Sequence, residues 1–278
     1  MKCKWIKKLT AGIIFLAAVG SLSGCQKAAT SENLFRDIEV NMTSVESAEE
    51  NQIVKLQMGD GDSAISQESN LDIEMTRNPA SVHRKGQQKT NMAGTKETQE
   101  MESYQVEEDG KTVIYSGTDE AWEKNAVEEK ETSSQQTVLF NGLQNLSGAF
   151  SVSQDLATVN KEECFELTGT ISGTQFQETF ADTLKALLGE DSSDLSGWNL
   201  QASEDEENNE ELQQKLNNVK VDCVIDIYRN NILPAKITFD LTDYLKAAGE
   251  ENAQVTSYTL EVTFVSYNDT KKIKVPKV

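Results

Sequence analysis

Period-two alternation of apolar and polar residues runs through most of this chain, and it leaves few folds open. In Val255 to Tyr267, Tyr258, Leu260, Val262 and Phe264 share one face, while Thr259, Glu261 and Thr263 fall on the other. The pattern recurs in Val219–Tyr228, Leu233–Leu241 and Glu163–Ser172, and earlier in Ile38/Val40/Met42, Val54/Leu56/Met58 and Leu71/Ile73/Met75. Segments of this kind are half-buried antiparallel strands, apolar on one face only. Gly, Asp and Ser write the turns between them, and Glu108-Asp109-Gly110 marks a hairpin between Gln99–Val106 and Lys111–Ser116, with Trp122 at its end or in a short strand beyond.

A sheet with one apolar face needs a cover, and a few helical stretches can supply it. Glu128–Leu146 places Leu139, Leu143 and Leu146 on one stripe. Thr174 to Gln177 has the form of a capping box, after which Phe176, Phe180, Leu184, Leu187 and Leu188 line one helical face until Gly189. Short helices are expected near Leu212–Leu216 and Thr242–Ala248. The predicted class is α+β: a curved, mostly antiparallel half-barrel sheet wrapped around a few helices. Residues 190–211 carry nine acids and no Lys or Arg, which reads as a flexible surface insertion. Within it Leu195, Trp198 and Leu200 either pin the segment to the fold or form a lid over a cavity.

The first residues set the location. Lys2, Lys4, Lys7 and Lys8 precede an apolar run from Leu9 to Leu22, too short for a comfortable membrane span but suited to a signal-peptide core. The run closes on Leu22-Ser23-Gly24-Cys25, which resembles the bacterial lipobox. Cleavage between Gly24 and Cys25 would leave the Cys25 thiol linked to diacylglycerol, with palmitate-type acyl chains as the anchor. The expected organisation is a signal peptide at 1–24, a lipidated tether at 25–33 and a single domain at 34–278. The outer face of the cytoplasmic membrane, at the bacterial cell surface, is the expected location. Loss of the four lysines takes the formal charge from −20 to about −24. Phosphate backbones would repel such a chain, so nucleic acid is excluded as a partner, and the lipid must do the anchoring.

Other chemistry is sparse. Cys164 and Cys223 remain after Cys3 and Cys25 are assigned to the signal and the anchor. Alternation puts Cys164 on a polar face and Cys223 on an apolar one, so a disulfide needs a bulge or a sheet edge, and two separate thiols are the other reading. His83 is the only histidine, and no Gly-x-Ser-x-Gly elbow accompanies it. Asp60-Gly-Asp62 begins like a calcium loop but has Ala64 and Ile65 where a ligand and Gly are required. No cofactor or metal is implied. From Met75 to Lys96 there is no acid, while Arg77, Arg84, Lys85, Lys89 and Lys96 all occur. This is either a solvated hairpin arm or a contact for an anionic ligand.

The hairpin Tyr104 to Tyr115, Ala121-Trp122-Glu-Lys124, Cys164-Phe-Glu-Leu-Thr-Gly169, Leu233-Pro-Ala-Lys-Ile-Thr238 and the closing Phe264-Val-Ser-Tyr267 with Ile273-Lys-Val-Pro276 carry a family resemblance. With the lipobox, they resemble uncharacterised Gram-positive lipoproteins similar to the LolA-like and LppX/LprG-like half-barrels. The resemblance implies the architecture, and an amphiphile carried between sheet and helices. Three functions follow: a monomeric, non-enzymatic lipoprotein that binds a lipid or other amphiphile; a cell-surface interaction or structural lipoprotein without a ligand cavity; and an envelope hydrolase.

Overall fold

Eleven strands form one antiparallel sheet in a computed structural model that describes residues 29–60, 64–109, 111–118, 121–127, 142–188, 206–248 and 254–277. They are β1 (Ser47–Met58), β2 (Ile65–Arg77), β3 (Ala80–Met92), β4 (Thr95–Glu108), β5 (Lys111–Thr118), β6 (Ala121–Val127), β7 (Phe150–Val159), β8 (Glu162–Ser172), β9 (Lys220–Tyr228), β10 (Pro234–Asp240) and β11 (Val255–Tyr267). The order across the sheet is β6-β5-β4-β3-β2-β1-β11-β10-β9-β8-β7. Two meanders, β1–β6 and β7–β11, are thus joined where the first strand pairs with the last, Val54 opposite Leu260. β6 and β7 are the two edges, so the sheet is open.

The described helices are α1 (Ser31–Met42), α2 (Leu143–Leu146), α3 (Gly173–Leu188), α4 (Glu206–Asn217) and α5 (Thr242–Ala248). All five contribute to one apolar core. Phe35 and Ile38 of α1, Leu143 of α2, Phe176 and Phe180 of α3, Leu216 of α4 and Tyr244 of α5 pack with Leu167, Ile225, Phe239, Leu260 and Phe264 of the sheet. The inner face is therefore set by alternation. Register places Phe264, Val262 and Leu260 beside Glu50, Gln52 and Val54, and Ile237 and Phe239 beside Ile225 and Cys223. An α+β chain with a mostly antiparallel sheet is the observed class.

Strand-interior glycines mark places where backbone or ring comes too close for a side chain. A Cβ on Gly86 of β3 would lie 2.0 Å from the Asn70 carbonyl oxygen of β2. On Gly169 of β8 it would lie 2.6 Å from the Phe150 ring, which packs edge-on against Phe35.

Several expectations change in the structure. Ile38, Val40 and Met42 are not a strand but the end of α1, because Leu34, Phe35, Ile38 and Met42 recur at helical spacing and are buried, while Val40 is 61% exposed. Thr30 caps the helix by accepting from the Asn33 backbone N–H at 3.3 Å, so residues 31–33, expected in the tether, are its first turn. The capping box of α3 lies two residues earlier than expected. Ser172 Oγ accepts from Gln175 N at 3.1 Å, and Gln175 Oε1 accepts from Ser172 N at 3.0 Å. β7 escaped the alternation rule because Ser151, Ser153, Gln154 and Asp155 make it polar, and an irregularity in register between Val152 and Leu156 interrupts its pairing with β8, as befits an edge. Of the helix expected at 128–146, Leu143–Leu146 is observed, and 128–141 lie outside the described residues.

Candidate functional site

Inside the sheet the two halves differ. Over β7–β11 and β1 the inner face meets the helices, whereas on β3 and β4 the inner-face Met92 and Met101 are 55% and 38% exposed. Near the β2–β3 turn, Ala48, Ile73, Met75 and Val82 form a small separate core. Further along, the inner-face residues Ser69, Gln67, Gln88 and Thr90 are half-buried and polar.

Glu50 and Gln52 of β1 sit at the boundary between these halves. Both are 1% exposed, and both lie on the face where Val54 and Leu56 follow. Glu50 stands between Phe264 of β11 and Ile73 of β2, and Gln52 between Val262 and Leu71. Neither carboxylate oxygen of Glu50, nor the amide oxygen or nitrogen of Gln52, has a hydrogen-bond partner among the described residues. A buried polar group left so costs about 1–3 kcal/mol. Burial raises the Glu50 carboxyl to about 7, with Arg84 pulling the other way. Arg84 of β3 shares the inner face, in register with Ile73, and its charge faces that of Glu50. The Tyr267 hydroxyl, also near Glu50, donates to the Pro234 carbonyl at 2.7 Å.

The outer face holds a different arrangement. His83 Nδ1 lies 3.1 Å from Glu74 Oε2 and Nε2 lies 2.9 Å from Glu102 Oε1. The Tyr104 ring stacks on the imidazole at 4.2 Å, and the Tyr104 hydroxyl and the Lys85 ammonium donate to Glu102. Burial pushes the Glu102 carboxyl up, but hydrogen bonds from His83, Lys85 and Tyr104 outweigh it and hold the group below its usual range. Trp122 meets Tyr104 edge-on, and Val275 of the C-terminal tail packs against Val106, Val113 and Tyr115 beside them. These groups satisfy one another, and the partners given for them among the described residues include no Ser or Cys. Among the described residues no three His, Cys, Asp or Glu side chains are grouped to hold a metal ion.

The profile of a family of unknown function, DUF6612, matches residues 30–278, almost the whole span from the α1 cap onward. The chain belongs to this DUF6612 family. No curated protein matches it. Solved structures similar to this DUF6612 chain include LprF from Mycobacterium bovis, at 11% identity and a TM-score of 0.48, covering 88% of this chain and 96% of that one. The lipoprotein LppX of Mycobacterium tuberculosis is similar at 14% identity and 0.45, covering 88% and 98%. A LolA-superfamily protein from Nitrosomonas europaea is similar at 8% identity and 0.24, covering 90% and 96%. LppX and LolA are the names that the sequence motifs resemble.

The basic segment of this DUF6612 chain does not gather into one patch. Arg77 donates to the Thr43 and Met42 carbonyls at 2.9 and 3.3 Å, closing the C-terminal end of α1 where a cation is favoured. Arg84 faces inward, while Lys85 and Lys89 alternate to the outer face, Lys85 paired with Glu102 at 3.0 Å. Cys164 and Cys223 are separate thiols. Cys164 is in register with Tyr228 on the outer face and Cys223 with Gly169 on the inner, so the sheet itself lies between them. Burial raises Cys164 to about 11 and Cys223 higher still, which makes both poor nucleophiles. Gly24, Cys25 and Trp198 lie outside the described residues, as does the insertion up to residue 205. Residues 206–211 are part of α4. Glu50 and Gln52 went unnoticed in the sequence. Their signal was a polar pair at positions of the same parity as Val54, Leu56 and Met58, where alternation calls for apolar residues.

Proposed function

We propose that this protein is a non-enzymatic, monomeric lipoprotein that binds a lipid or other amphiphile against the inner face of a half-barrel sheet. Residues 1–24 act as signal peptide, and Cys25 carries the diacylglycerol that holds the chain on the outer face of the cytoplasmic membrane. Between Cys25 and the Thr30 cap lie too few residues to reach beyond roughly 18 Å at 3.3–3.6 Å each, so the domain stays close to the bilayer. No helix of the described residues is long and apolar enough to cross a membrane. The observation that carries the reading is the division of the inner face: helices gather over β7–β11 and β1, while β3 and β4 present Met92 and Met101 to solvent and β1 holds a buried polar pair on the same face. Flexible methionine side chains and placed polar groups on one face suit an acyl chain with a headgroup.

Native mass spectrometry of protein gently extracted from membranes tests this function. A co-purifying amphiphile is expected, and crosslinks from it should map to β2–β4. A chain that stays empty when offered amphiphiles overturns the binding. For the anchor, Cys25→Ser should abolish incorporation of a labelled fatty acid, since only a thiol forms the thioether. Label retained by the variant overturns that part.

A further inference from the structure

We propose that Glu50 and Gln52 recognise an uncharged, hydroxyl-bearing lipid headgroup, of the kind carried by diacylglycerol or a glycosyl-diacylglycerol. The inference rests on the amphiphile-binding reading above and names the chemistry of what is bound. The two side chains are 1% exposed, sit two residues apart on one face of β1, and leave four polar atoms without partners among the described residues. Folded proteins rarely bury such atoms without a use for them.

The donor and acceptor set selects the ligand. Above about pH 7, where Glu50 is ionised, it accepts only, while the Gln52 amide both donates and accepts. A hydroxyl can donate to Glu50 and accept from Gln52 Nε2 in one position, and vicinal hydroxyls can use both carboxylate oxygens. A phosphate offers acceptors only and would face the Glu50 carboxylate. Arg84 does not reverse this while Glu50 is ionised, because its charge is then set against the carboxylate, so the local balance is near neutral and a buried phosphate would add an uncompensated charge. An ammonium could donate to Glu50 but would leave the Gln52 donor unsatisfied.

The same rows of the sheet give the bound molecule a direction. Gln52 is in register with Leu71, and Leu71 with Gly86, whose backbone approach to Asn70 forbids a side chain. Gly86 is followed across the sheet by the exposed Met101. The row therefore runs from a polar end at Gln52, over a glycine, to a methionine, and an amphiphile laid along it would place headgroup on the first and chain on the last.

The test uses the full chain at pH 8, where Glu50 is ionised, reconstituted in phosphatidylcholine vesicles doped with a photoactivatable diacylglycerol or a phosphatidic acid bearing the same chains. Crosslinking of the diacylglycerol probe to peptides of β1–β3 should exceed that of phosphatidic acid at least tenfold. Gln52→Leu should lower it to the phosphatidic acid level, with an unchanged circular dichroism spectrum. Unlabelled glucosyl-diacylglycerol should displace the probe, whereas free glucose should not. Equal labelling by both lipids, no loss on Gln52→Leu, or displacement by free glucose overturns the inference while leaving amphiphile binding standing. Absence of labelling by either probe counts instead against the proposed function. Should Gln52→Leu not fold, the preference of the unsubstituted protein between the two probes decides.

Discussion

Replacing Glu50 with Gln should make this protein more stable above neutral pH and leave it unchanged in acid. Glu50 is enclosed by Phe264, Ile73 and the β-sheet backbone, and burial lifts its carboxyl from an ordinary 4.5 to about 7 against the pull of Arg84. Below pH 4.5 the carboxyl is neutral in folded and unfolded chains alike, and no penalty exists. From there to pH 7 the folded state holds a proton that the unfolded state has released, so stability falls by about 1.4 kcal/mol per pH unit. The loss levels off above pH 7 at about 3 kcal/mol, a large share of a domain stability of roughly 5–15 kcal/mol. Gln keeps the shape and removes the charge. Urea denaturation of both proteins at pH 4, 5, 6, 7 and 8 should therefore give curves that coincide in acid and separate by about 3 kcal/mol at pH 8. Asp226, raised by burial to about 6, titrates in the same window and with the same sign, but it is common to both proteins and drops out of the difference. Parallel curves at all pH values, or a less stable variant at pH 8, would refute the reasoning and mean that the attraction of the Arg84 charge more than offsets the burial of Glu50.

Leu260→Asp or Phe264→Asp should prevent folding, because both side chains are wholly buried and an unpaired carboxylate there costs several kcal/mol, whereas Thr259→Asp and Thr263→Asp on the outer face should be tolerated; equal shifts in Tm for the two sets would contradict the face assignment. Gly86→Ala should destabilise by about 2 kcal/mol in urea, since the new Cβ would meet the Asn70 carbonyl at 2.0 Å and the backbone must yield. Ser172→Ala should cost about 1 kcal/mol by removing the acceptor for Gln175 N at the start of α3, while Thr174→Ala, outside that reciprocal pair, should cost less.

Local order was legible because it obeys short-range rules. Alternation in Val255–Tyr267 assigned the inner face of β11 residue by residue, since a strand turns successive side chains to opposite sides whatever surrounds it. The same rule separated Cys164 from Cys223. It misled at Ile38, Val40 and Met42, where three residues of even parity also fit one end of a helix; only the burial of Leu34 and Phe35 distinguishes the two periods. The capping pair of α3 was misplaced because Ser172/Gln175 and Thr174/Gln177 have the same spacing, and the chain's path out of β8 decides which one caps. Strand parity, most helices and the antiparallel class are thus written in local sequence. The tertiary structure alone decided that β1 pairs with β11 some two hundred residues away, because nothing local in Val54 or Leu260 encodes that partner. That pairing adds Phe264 and Val262 to the Ile73 and Leu71 that β2 already sets beside Glu50 and Gln52, on the face that Arg84 of β3 shares, and turns two polar residues of an ordinary-looking strand into a buried site.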